Sequence, residues 1–324
     1  MCTAITYQTR DHYFGRTLDY DTSFGEEVTL TPRNFPLTFR HLDTLERHHA
    51  ILGMACVAQG YPLYYDGVNE KGLAMAGLNF PYFARYSPAV PGRENVAHFE
   101  LIPWILGTCA TVAEAREKIA ELNVTDDAFS DQLPPSTLHW IISGADGCLV
   151  VETTDSGVGL YDNPVGVLTN SPPFDQQLLQ LNNFMHLSPL PPENRFSRRL
   201  RLGAYSRGMG ALGLPGDLSS QSRFARAAFV RLNSLSGDSE EESVSQFFHI
   251  LGSVEQPMGC CRLENGRCER TIYTCCCNAS RGIYYYTTYE SHGLRAVDMH
   301  RENLNSVDLR RWQVERQEQV QWRN

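Results

Sequence analysis

The sequence predicts an α+β fold, a four-layer αββα sandwich with two antiparallel sheets face to face beneath helices. Three observations predict it. Strand-like stretches come in three groups with helical stretches between them, the order expected when helices cover sheets. Turns such as Ala145-Asp146-Gly147 and Asp155-Ser156-Gly157 are too short for parallel crossovers, so neighbouring strands run antiparallel. No linker or internal repeat divides the chain, so one domain over residues 1–324 is expected, long enough for a large core.

The first strand spans residues 3–7, apolar and β-branched, and residues 13–20 follow after a polar turn. Residues 27–31 are stopped by Pro32, and 50–58 form an apolar run. Strands at 63–68 and 73–78 flank Asn69-Glu70-Lys71-Gly72, a good hairpin turn. Thr111 and Glu114 form a capping box for a helix with Val112, Ala115, Ile119 and Leu122 on one face. After a loop near Pro134-Pro135, residues 138–143, 148–153 and 158–161 read as an antiparallel meander. Leu178, Leu181 and Met185 mark one helical face; Phe224, Ala228, Leu232 and Leu235 mark another. Ser239 with Glu242 caps a helix carrying Val244, Phe247, Phe248 and Leu251. Strands at 271–277 and 282–288 close the fold, and the polar residues after Met299 read as a peripheral extension. The stretch at about 189–215, rich in Pro, Arg and Gly, is too long for a connector and reads as an assembly or selectivity loop.

Composition narrows the function classes. A net charge of -9 argues against a nucleic-acid partner, which calls for a basic face. No run of about 18 apolar residues exists, so no membrane span is expected. The start lacks a basic n-region followed by an apolar h-region, so a cytoplasmic protein with reduced cysteines is expected. Six of the ten cysteines fall late: Cys260, Cys261, Cys268, Cys275, Cys276 and Cys277. They form no C-x2-C pair, and on a strand Cys275 and Cys277 face away from Cys276, so they cannot converge on a metal. They read as small hydrophobes, and no metal or cofactor is expected.

The chemistry starts at Cys2. A cysteine directly after the initiator methionine is a site where Met1 is readily removed. Removal leaves an α-amine and a thiol on one residue, a base beside the nucleophile it activates. Position alone also fits an ordinary second residue, and other motifs must decide.

Those motifs are Gly15-Arg16-Thr17-Leu18-Asp19, Ala76-Gly77-Leu78-Asn79-Phe80-Pro81, Leu168-Thr169-Asn170-Ser171-Pro172 and Ser222-Arg223-Phe224, after Met1-Cys2-Thr3. Together they resemble the choloylglycine hydrolase family, N-terminal-nucleophile amidohydrolases that include bile salt hydrolases and penicillin V acylases. The resemblance spans nearly the whole chain and implies the αββα N-terminal-nucleophile fold. It implies Cys2 as nucleophile and, through its amine, as base. Asn170 and the Asn79 N–H serve as oxyanion donors, Arg16 stabilises the thiolate, Asp19 orients the amine, and Arg223 supports the network. None of the ten histidines is needed, and His139 reads as a packed strand residue.

Asn79 and the long excursion resemble the bile salt hydrolases, which implies glycine- or taurine-conjugated bile salts as small-molecule substrates, a bacterial cytoplasmic setting and a homotetramer. Penicillin V acylase is the alternative. An apolar pocket is expected from Tyr20, Phe24, Tyr65, Phe129 and Leu133. Arg207, in Ser206-Arg207, resembles a taurine-favouring form of the loop. Two other classes are distinguishable by assay. A cysteine-rich metal protein would carry metal and hydrolyse nothing, and a Cys–His hydrolase would survive Cys2→Ala.

Overall fold

The computed structural model describes residues 1–324. Strands β1 (Cys2–Gln8), β2 (His12–Tyr20), β3 (Glu27–Thr31), β4 (Ile51–Ala58), β5 (Tyr61–Asn69) and β6 (Ala74–Asn79) come first. A short parallel pair, β7 (Glu94–Ala97) and β8 (Leu122–Thr125), brackets helices α1 (Leu101–Thr108) and α2 (Val112–Ile119). Then come β9 (Leu138–Gly144), β10 (Gly147–Thr154), β11 (Gly157–Asp162), β12 (Val167–Leu168), and helices α3 (Phe174–Gln180), α4 (Ser220–Asn233) and α5 (Glu240–Gly252). The chain ends with β13 (Cys261–Arg262), β14 (Cys268–Asn278), β15 (Ile283–Thr288), β16 (Ser291–Asp298) and β17 (Arg310–Gln313).

Two antiparallel sheets result, as expected. The first runs β12-β1-β2-β14-β15-β16, with β13 on β14; the second runs β11-β10-β9-β6-β5-β4-β3-β17. Directly paired residues share a face. Cys2 pairs with Leu18, Ala4 with Arg16, Leu18 with Tyr273 and Cys277 with Tyr284, so all of these side chains share one face. That face meets the second sheet. Thr3, Thr17, Asp19 and Thr271 occupy the other face, beneath α4.

The main core lies between the sheets and under α4 and α5, and includes Ile5, Phe14, Val68, Leu78, Phe224 and Phe247. A second core joins the outer face of the second sheet to α1 and α2 through Met75, Trp104, Ile105 and Trp140. Truncating a fully buried side chain such as Phe247 to alanine would cost about 3–5 kcal/mol. Gly15 is required where β2 crosses β14, since a Cβ there would lie 2.0 Å from the Cys275 carbonyl oxygen. Cys275, Cys276 and Cys277 are fully buried, with Cys276 on the face opposite the other two.

Several expectations need correction. Leu122 belongs to β8, because α2 ends at Ile119. Thr111 caps α2 through the Glu114 N–H at 3.1 Å, but the Glu114 carboxylate binds the Ala110 N–H, so no capping box closes. Met185 and Leu235 are 81% and 89% exposed, each beyond the end of its α-helix. The peripheral extension after Met299 includes an edge strand at residues 310–313 that the sequence reading did not expect. Helix α1 has no counterpart in the sequence reading. Its segment is buried on every side from Leu101 to Gly107, so no apolar stripe repeats along it.

Candidate active site

Cys2 opens β1 and is buried on the face toward the second sheet. Met1 precedes it, so the Cys2 nitrogen is an amide standing in for the α-amine that removal of Met1 would free. That nitrogen donates to Asn170 Oδ1 at 2.9 Å. The Met1 amine itself donates to the Asp19 carbonyl and to Glu269 Oε2, the latter at 3.3 Å.

Asn170 links three elements. Its Oδ1 also accepts from Arg223 Nη2 at 2.7 Å, and its Nδ2 donates to the Asn79 carbonyl at 2.7 Å. The Phe80 N–H donates to Thr137 O at 2.8 Å, across to the β9 side. In an antiparallel ladder successive residues point their N–H and C=O groups to opposite sides. Asn79 therefore turns both its N–H and its C=O away from β9, and the C=O meets Asn170, whose Oδ1 binds the Cys2 nitrogen. His139 stands behind them, with Nε2 3.0 Å from Thr169 O, Nδ1 3.0 Å from Glu152 Oε1, and its ring stacked 4.3 Å from Phe80. It is a packed strand residue, as expected.

Arg223 comes from the first turns of α4 and is fully buried. Its fork donates to Leu218 O at 2.9 Å, to Thr3 Oγ1 at 2.6 Å and to the Cys2 carbonyl. Asp19 lies 3.9 Å from the same guanidinium. Its carboxylate accepts from Thr17 Oγ1 at 3.1 Å, Thr271 Oγ1 at 2.6 Å and Gln256 Nε2 at 3.3 Å. Thr271 and Gln256 were not expected here. A bulge between Thr271 and Tyr273 shifts the β14 register beside Asp19 and brings Thr271 into reach.

Arg16 occupies the opposite face. Its Nη1 donates to Gly77 O at 2.6 Å and to Tyr65 O at 3.2 Å, crossing from one sheet to the other. A second bulge makes this possible: Met54 pairs with Asp66 and Ala55 with Tyr64, which leaves Tyr65 unpaired and its carbonyl free. Burial opposes the Arg16 charge, but the Cys2 thiol, Tyr273 and Asp66 nearby more than restore it, and its pKa rises.

A family model for linear amide C–N hydrolases of the choloylglycine hydrolase family matches residues 2–311. The chain belongs to the choloylglycine hydrolase family. It is 52% identical over 309 residues to the bile salt hydrolase/transferase of Lactiplantibacillus plantarum, with 95% of each chain covered. It is 38% identical over 316 residues to the bile salt hydrolase/transferase of Clostridium perfringens, with 96% of each covered. Among solved structures, a cysteine-to-alanine mutant of the conjugated bile acid hydrolase from Clostridium perfringens superposes with a TM-score of 0.93, at 35% identity and full coverage of both chains. The penicillin V acylase of Agrobacterium tumefaciens shares the fold, with a TM-score of 0.76 at 20% identity over 96% of this chain and 90% of its own.

Of the expected family residues, Cys2, Asp19, Asn79, Asn170 and Arg223 are linked to one another, while the Arg16 side chain hydrogen-bonds only to the carbonyls of Thr17, Tyr65 and Gly77. The expected substrate residues are more scattered. Tyr20 and Phe24 pack together at 5.3 Å between ring centres, at the end of β2. Tyr65 contributes its carbonyl to Arg16. Phe129 packs with Phe99 at 5.3 Å and Tyr61 at 6.0 Å, and its N–H donates to Leu133 O at 3.1 Å. Arg207 is exposed on the 189–215 excursion.

Proposed function

We propose that this chain hydrolyses the amide bond of glycine- and taurine-conjugated bile salts, with Cys2 as nucleophile once Met1 is removed. The observation that carries the reading is Asn170, whose one side chain binds the Cys2 nitrogen, Arg223 and Asn79. The relatives at 52% and 38% identity, both bile salt hydrolase/transferases, support the substrate class.

The freed α-amine takes the Cys2 thiol proton, directly or through one water. The thiolate attacks the amide carbonyl carbon, and the oxyanion accepts from Asn170 Nδ2 and the Asn79 N–H. Arg16 balances negative charge on sulfur. The tetrahedral species collapses as the C–N bond breaks, and the proton on the α-amine passes to the departing glycine or taurine nitrogen. Water, deprotonated by the same amine, then attacks the thioester and releases the bile acid and the thiol. Asp19 and Arg223 hold the terminus on the helix side of β1. No side chain in this scheme needs a cofactor.

Tyr20, Phe24 and Tyr65, with Phe129 and Leu133 from the loop before β9, are proposed to hold the sterol. The exposed Phe196, Leu200, Leu202 and Tyr205 of the excursion support a homotetramer built on that segment. Ten unpaired cysteines suit a reducing bacterial cytoplasm, and no helix is long and apolar enough to cross a membrane.

The test is hydrolysis of taurocholate, glycocholate and penicillin V by the Met1-processed protein, with intact mass establishing the N-terminus, and by Cys2→Ser. Bile salt turnover lost in Cys2→Ser is expected. Preference for penicillin V would overturn the substrate, and full activity with Met1 retained would overturn the mechanism.

A further inference from the structure

Asp66 is a fully buried carboxylate that the scheme above does not use. It lies on β5 with its side chain in the layer between the sheets. Tyr273 Oη donates to its Oδ2 at 2.5 Å and Tyr284 Oη to its Oδ1 at 2.7 Å, with Cys275 Sγ 3.6 Å from the same Oδ1. All three donors come from the first sheet. Arg16 reaches across in the other direction, and its two carbonyl partners frame Asp66. Tyr65 is the residue before it, and Gly77 follows Ala76, its cross-strand partner. Arg16 Nη2, buried with them, has no hydrogen-bond partner.

From this arrangement we propose that Asp66 is the buried counter-ion of Arg16, acting through the field between the sheets rather than by direct contact, and that it moderates the Arg16 field at the Cys2 sulfur. The inference rests on the reading of Cys2 as nucleophile and deepens it. Hydrogen-bond chemistry favours the ionised carboxylate. Burial pushes the Tyr273 and Tyr284 hydroxyls well above their ordinary range, so both remain donors. A protonated Asp66 would have to place its own hydrogen among them. Burial pushes the Asp66 carboxyl up, and Arg16 and the two phenols offset only part of that rise, so the hydrogen-bond geometry is what argues for the ionised form. An isolated charge of either sign between the sheets would be costly, and each is the other's formal opposite. Cys277 also faces Asp66, and Arg223 and Tyr20 act on Cys2 from its other sides.

With Asp66 neutralised, the full field of Arg16 falls on the thiolate. In Asp66→Asn the acid limb of the kcat/KM–pH profile should move down by about one pH unit. That is the size for one unit charge acting over roughly 10 Å at an effective dielectric of about 20. A more stabilised thiolate is a weaker nucleophile, so the plateau should fall about threefold. Tyr284→Phe withdraws one donor, favours the neutral carboxyl and should move the limb the same way by less; it decides alone if Asp66→Asn does not fold. A merely structural Asp66 would lower the melting temperature and leave the limb in place, which would overturn the proposal. Cys2→Ser separates the two readings. If it stays active, the nucleophile assignment fails; if it is inactive and the limb of a folded variant is unmoved, only the counter-ion inference fails.

Discussion

Thr271→Val isolates how much the orientation of Asp19 matters. Valine keeps the β-branched shape on β14 but removes the hydroxyl that donates to Asp19 Oδ1 at 2.6 Å and accepts the Gln256 N–H at 2.8 Å. Losing a hydrogen bond to a charged acceptor costs about 1.5–3 kcal/mol, and leaving the Gln256 N–H buried and unpaired costs about 1–3 more. A loss of roughly 2.5–6 kcal/mol follows. With an unfolding entropy near 0.7 kcal/mol/K for a chain of 324 residues, the melting temperature should fall by about 4–9 °C. Asp19 keeps Thr17, Gln256 and Arg223, so it is loosened rather than released. kcat should therefore drop about tenfold, near the loss of one such contact, while KM stays within about twofold. Thr271 lies on the helix side of its sheet, away from the thiol, so little direct effect on substrate binding is expected. Steady-state taurocholate kinetics and calorimetry on the same preparation check both numbers. A lowered melting temperature with wild-type kcat would show that Thr271 is structural only and that Asp19 needs no such alignment.

Acid stability offers a second test. Burial lowers His12 to about 4, and its ring nitrogens meet Ser143 Oγ at 2.9 Å and Gln8 Oε1 at 3.1 Å. A histidine with a depressed folded pKa favours the unfolded state once protonated, so its penalty is absent above about 6.5 and grows as pH falls toward 4. His98, also lowered to about 4 by burial, acts in the same sense, while Glu100, raised to about 7 by burial, gains stability over the same interval. His12→Asn should cut the stability lost between pH 7 and 4.5 by about 2.5 kcal/mol in urea unfolding; an identical loss in both proteins would refute the linkage. Separately, Arg207→Gly should change the ratio of kcat/KM for taurocholate over glycocholate by roughly tenfold if its guanidinium reaches the sulfonate. An unchanged ratio would remove Arg207 from selectivity. Light scattering should return about four times the 36.5 kDa chain mass, and a monomer would reject the tetramer.

The sequence made legible the features that local chemistry carries. Gly72 ends the β5–β6 turn with φ +89°, while Asn69 Oδ1 accepts from Lys71 and Leu73, as its turn composition suggests. Ser239 and Glu242 form the expected capping box. The six expected family residues each sit in a short motif, and the fold brings Cys2 and Asn170 together although they lie 168 positions apart. The rest depends on register. Asp66 lies in Leu63-Tyr64-Tyr65-Asp66-Gly67-Val68, where an acidic residue in a strand reads as solvent-facing. One extra residue at Tyr65 changes the register of β5 against β4 and leaves that carbonyl for Arg16. The same applies to Thr271, which is one more β-branched strand residue until a bulge aligns it with Asp19. Gln256 reaches Asp19 from 237 positions away, with no motif of its own. Pattern reading picks out the groups proposed to react. The groups that hold them are set by two irregular strand pairings, one in each sheet, and a hydrophobic alternation does not encode where a ladder slips.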